Sequence, residues 1–75
     1  MNAQTLYTRA VTYNNAVKEI RAQVAENGDR VRISRDGEVN VYGRMPNSIV
    51  TGWWYAGDVQ QAFNRLCSND ARIVD

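Results

Sequence analysis

Apolar side chains recur every three to four residues over the first third of the chain and every second residue over most of the remainder. Leu6, Ala10, Tyr13, Val17, Ile20 and Val24 stand at alternating spacings of four and three, which is one face of a helix. Tyr7 and Val11 widen that stripe, as suits a helix lying on a sheet. The pattern predicts a helix over 3–27, with Asn2 as N-cap and Asn27-Gly28 as the stop, Gly taking the left-handed position. A heptad seam between two such helices is the sharper reading of the stripe, but Ala10 and Tyr13 pack poorly in a seam.

Residues 29–35 and 38–44 both alternate apolar and polar around Asp36-Gly37, so they form a hairpin. A two-residue loop would set Ile33 against Asn40 and mix the faces. A three-residue loop of Arg35, Asp36 and Gly37 pairs Ile33 with Val39 and Val31 with Val41, with Gly37 left-handed in a type I turn and G1 bulge. Residues 45–48, with Pro46, are the next turn. A third strand occupies 49–56, Arg44 opposite Ile49, Val41 opposite Gly52 and Val39 opposite Trp54. Tyr42 then meets Thr51, Asn40 meets Trp53, and Gly52 leaves room for a crossing helix. Asp58 with Gln61 resembles a capping box. Val59, Ala62, Phe63, Leu66 and Cys67 share one face of a second helix ending near Ser68. Ile73 and Val74 either tuck against the core or add a short edge strand.

The expected fold is therefore α+β in the order αβββα: a three-stranded antiparallel meander with two helices packed on one face, in a single domain spanning 1–75. Its expected core is Leu6, Tyr13, Val17, Ile20, Val31, Ile33, Val39, Val41, Val50, Trp54, Phe63 and Leu66. Two helices cover one face of such a sheet and leave the other in water.

That other face carries Arg30, Arg32, Asn40, Tyr42, Arg44, Thr51, Trp53 and Tyr55, with Ile49 at its edge. Arginines interleaved with aromatics suit a protein-binding hot spot, and on an open sheet they can also stack bases and track phosphate. The bland reading is that such cross-strand pairs only stabilise the sheet. A register slip of one residue would exchange Trp53 with Trp54.

Composition narrows the choice. The formal net charge is +1, from 9 Lys plus Arg against 8 Asp plus Glu. Residues 30–57 hold four Arg against two acids, and Arg favours planar, bidentate contacts. An overall charge this small argues against a phosphate-tracking protein. With no His and one Cys, the chain lacks the usual general base, the commonest metal ligand and any disulfide framework. Asp36 and Glu38 flank a turn, Cys67 has no His to activate it, and no glycine-rich phosphate loop is present. No enzyme activity, cofactor or metal is expected. There is no membrane-spanning run and no signal-peptide pattern, and the lone Cys suits the cytoplasm.

The order αβββα resembles the double-stranded RNA-binding domain. That family places a Lys-rich cluster at the start of its second helix, where this chain has Asp58-Val-Gln-Gln61, so the resemblance is one of architecture and implies no shared function. The expected function is a small regulatory or inhibitory protein binding a larger protein partner through the Arg/aromatic face, in the style of phage and mobile-element accessory proteins. A nucleic-acid module using the same face is the alternative, and a homodimer the third reading.

Overall fold

The computed structural model describes residues 9–75. Leu6, Tyr7, Asn2 and the first six positions of the expected helix lie outside them. The order is β1 (Arg9–Thr12), α1 (Tyr13–Glu26), β2 (Arg30–Ile33), β3 (Glu38–Arg44), β4 (Thr51–Asp58), α2 (Val59–Leu66) and β5 (Ala71–Val74). β2, β3 and β4 form the antiparallel meander, and β1 pairs in parallel with β5 as a separate two-stranded sheet. The fold is α+β, with both helices packed against the meander.

The first helix starts later than its stripe predicts. Arg9–Thr12 is extended, and Val11 lies opposite Ile73. The Thr12 hydroxyl accepts from the Asn15 amide at 3.2 Å as the N-cap, a role for which Thr is well suited. Val11 and Thr12 are β-branched and weak helix formers. Pairing with β5 buries Val11, and the helical spacing of Ala10 is coincidental, since Ala10 is exposed. Asn14 and Asn15 fall in the first turn, where low helix propensity costs least. At the other end, Asp29 donates its amide to the Val24 carbonyl and Gly28 to that of Ala25, both at 3.0 Å, with Gly28 at φ 81°. This is the Schellman stop expected of Asn27-Gly28.

The hairpin has the expected register, with Val31 opposite Val41 and Ile33 opposite Val39. Ser34 and Glu38 close the three-residue loop through their backbones at 2.9 Å, and Gly37 has φ 85°. The Ser34 hydroxyl also accepts from the Glu38 amide at 3.0 Å. Tyr13 leans on this turn, its hydroxyl 3.4 Å from where a Cβ on Gly37 would stand.

The β3–β4 register differs from expectation by two residues. Arg44 lies opposite Thr51, Tyr42 opposite Trp53 and Val41 opposite Trp54. The connection spans residues 45–50, closed by the Met45 amide on the Val50 carbonyl at 2.8 Å, with Asn47 left-handed at φ 58° after Pro46. Asn tolerates that conformation best among non-glycine residues. The longer loop takes Ile49 and Val50 out of the strand, and both are exposed. Val50 is therefore not core. A shift of two preserves which side chains share a face, so inside and outside stand as predicted. Between Tyr55 and Gly57, Ala56 is an extra residue opposite the Val39/Asn40 step, a bulge that turns the strand towards α2. Gly52 meets only the Met45 sulfur at 3.7 Å, so it makes no room for a helix.

The core consists of Val11, Ala16, Ile20, Val24, Val39, Val41, Ala56, Val59, Ala62, Phe63 and Ala71, with Val17, Val31, Ile33, Trp54, Leu66 and Ile73 packed around it. Tyr13 is exposed, because the buried stripe of α1 runs through Ala16, Ile20 and Val24 instead. Trp54 is half-buried, and its indole Nε1 is buried without an acceptor among the described residues. An orphaned donor costs about 1–3 kcal/mol. Trp54→Phe gives up some apolar area but removes that cost, so its urea midpoint is expected to correspond to within about 1 kcal/mol of wild type.

Candidate functional site

The outer face of the meander brings together the residues that the alternation singles out. Across the three strands, Arg30, Tyr42 and Trp53 form one row, and Arg32, Asn40 and Tyr55 the next. Arg44 and Thr51 stand opposite each other further along. All are exposed except Asn40, which is half-buried. Ile49, expected at the edge of this face, belongs to the loop.

Alternation along each strand puts these side chains outside because Val31, Ile33, Val39, Val41 and Trp54 turn inward to the helices. The rows are internally engaged. Tyr42 meets Trp53 edge-on, with ring centroids 5.4 Å apart and planes at 60°. The Arg32 guanidinium lies 4.3 Å from the Trp53 ring centroid, within cation–π range. Arg44 donates from Nε to the Ser48 carbonyl at 2.9 Å, which ties it to the neighbouring loop. Tyr55 is the most open aromatic of the set, at 57% exposure.

Electrostatically the face is one-sided. Among the described residues none of Arg30, Arg32 and Arg44 takes part in an ion pair; the salt bridge at 3.8 Å joins Arg9 and Glu19 elsewhere. Asp29 directly precedes Arg30 and sets its carboxylate against Gly43, and at the other end Glu38 lies opposite Asp58. Asp58 is committed to α2: its carboxylate accepts from the Gln61 amide at 2.9 Å and Gln61 Oε1 accepts from the Asp58 amide at 3.0 Å. This is the reciprocal capping box expected from the sequence. The face therefore presents three cations without an ion pair among the described residues.

The remaining candidates for chemistry lie apart. Asp36 and Glu38 are exposed on the hairpin. Cys67 is half-buried at the C-cap of α2; burial, then the nearby Glu19 carboxylate, push its thiol above the usual range, with Arg9 acting the other way. Such a thiol stays protonated and is a poor nucleophile. Among the described residues no group of three or more His, Cys, Asp or Glu side chains is placed to hold a metal ion. No helix among them is long and apolar enough to cross a membrane.

Sequence reasoning misses a second feature, an open groove of about 510 Å³ beside the outer edge of β4, lined by Tyr55, Ala56, Gly57, Gln61, Asn64 and Arg65. The bulge at Ala56 and the left-handed Gly57 shape it, and the signal for it in the sequence is Gly57 before the capping box. Compared with models of known protein families, with curated proteins and with solved structures, the chain matches none.

Proposed function

We propose that this chain is a non-catalytic regulatory protein that binds, and can thereby inhibit, a larger protein partner through the outer face of its meander. The observation that carries the reading is the Arg32–Trp53–Tyr42 cluster, flanked by Arg30, Arg44 and Tyr55 and without an ion pair among the described residues. Trp, Tyr and Arg are the residues most enriched where binding energy concentrates at protein interfaces. Side chains already held against one another lose less rotamer freedom on association. The same packing disfavours base stacking on Trp53, since Arg32 covers its ring and Tyr42 abuts it. The lone, protonated Cys67 fits a reducing, cytoplasmic setting.

The test compares wild type with Trp53→Ala in affinity capture from a host lysate, together with thermal melts of both. Trp53 is 39% exposed, so the expected result is loss of the captured protein with a melting change below about 1 kcal/mol, as for surface positions. Capture unchanged in the variant overturns the reading. Titration of the intrinsic Trp fluorescence with single- and double-stranded DNA and RNA supplies the competing outcome. Quenching that weakens steeply with salt would assign the face to nucleic acid instead.

A further inference from the structure

The two edges of the meander are unlike. β2, on one edge, is four residues long and carries Arg30 and Arg32, the short, charged design that keeps an edge from recruiting another strand. β4, on the other, is eight residues long, and from 51 to 57 it reads Thr-Gly-Trp-Trp-Tyr-Ala-Gly. The stretch 51–57 has no charge, no Pro and several residues with strong strand propensity. Its neighbour in the sheet is β3 alone. Among the described residues, positions 51–57 make no backbone hydrogen bond outside that ladder. The outward-pointing amides and carbonyls of 51–55, before the bulge, therefore have no partner among the described residues.

The groove beside this edge gives the occupant its chemistry. Of the groove's lining residues only Arg65 is charged. Arg65 has no ion pair among the described residues and rests 5.8 Å from the Trp54 ring centroid. A strand added to β4 would turn alternate side chains towards Arg65 on the helix side and the others towards Trp53 and Tyr55 on the outer side. Acidic side chains complement the first row and apolar ones the second.

We infer that β4 is a strand-addition edge that takes an extended segment of alternating acidic and apolar residues from the partner. This deepens the proposed function, resting on that reading for the existence of a protein partner, and it specifies how the partner is held. Main-chain pairing supplies the affinity and the alternate side chains the specificity, as in other cases of strand addition.

The experiment uses a short fluorescein-labelled peptide of alternating Glu and Val, with a Lys-Val peptide as control, and reads polarisation and amide hydrogen exchange on the full chain. The expected result is saturable binding of the Glu peptide below about 1 mM and none of the Lys peptide. Protection should rise at those amides of 51–55 that point away from β3. Arg65→Glu, on the exposed side of α2, is expected to weaken binding by about tenfold or more while Lys18→Ala, exposed on α1, leaves it within about twofold. Absence of binding, equal binding of both peptides, or binding without protection on β4 overturns the inference. So does a dimer, seen by mass, that already protects the edge without peptide. If the Glu peptide fails while Trp53→Ala still abolishes capture, strand addition is wrong and the face reading stands. If the peptide binds while capture is indifferent to Trp53, the face reading is the one that fails.

Discussion

Phe63→Ala is expected to lower stability by about 3–5 kcal/mol, the range for truncating a buried aromatic. Phe63 has no exposed surface and is the largest fully buried side chain among the described residues. It sits on α2, between the meander and α1, and the Arg9 guanidinium lies 5.8 Å from its ring centroid. Its loss leaves a cavity that the small buried residues of the core, Ala16, Ala56, Ala62 and Ala71, cannot swell to fill. A domain of this length has a total stability of about 4–11 kcal/mol, so the variant keeps a fraction of it. At roughly 4–8 °C per kcal/mol, a calorimetric melt is expected to fall by on the order of 20 °C. Phe63→Leu, nearer in volume, is expected to lose less than half as much. A melt of Phe63→Ala within a few degrees of wild type would mean that α2 does not anchor the core.

Gly57→Ala is expected to cost about 2–4 kcal/mol, from two sources at one residue. Gly57 has φ 99°, beyond the left-handed well, where a side chain costs about 1–3 kcal/mol. A Cβ there would also stand 2.7 Å from Gln61 Cβ and 2.6 Å from Gln61 Oε1. Gln61 Oε1 is the acceptor for the Asp58 amide, so making room breaks half of the capping box, worth about 0.5–2 kcal/mol. The two sources separate in a double-mutant cycle. Gln61→Ala alone loses the cap, and Gly57→Ala added to it is expected to cost less than it does in wild type, because the amide group no longer has to move. Urea midpoints of the four proteins check this. Strict additivity would show that the Gln61 amide group beyond Cβ adds nothing to the cost.

How much of the molecule is legible in its sequence depends on the range of the interaction. Local devices read correctly: the Asn27-Gly28 stop, the Gly37 loop and the Asp58/Gln61 box each need only a few consecutive residues. Which side chains share the outer face also reads correctly, although the register expected for them is two residues off. Faces depend on parity, and the six-residue connection closed by Met45 and Val50 changes the register by an even number. Pro46 signals a turn but not its length. The start of the first helix misleads because Ala10 and Tyr13 fit the helical period while the deciding partner, Ile73, lies at the far end of the chain. The apolar ring of Tyr13 points to the core in the pattern, whereas Ala16, too small to stand out there, is the residue that is buried.

The pairing of β1 with β5 ties Arg9 to Ala71 and Thr12 to Val74, residues about sixty positions apart, and a loop of that size costs substantial entropy to close. Such a contact gains little until the intervening meander and α2 are in place. The clasp is then among the last parts to form and the first to open. Its opening would release the N-cap side of α1 and the end of the chain together, so trimming either strand by a protease exposes the other. The molecule's resistance to degradation is thereby expected to be set by eight residues that lie outside the outer face of the meander.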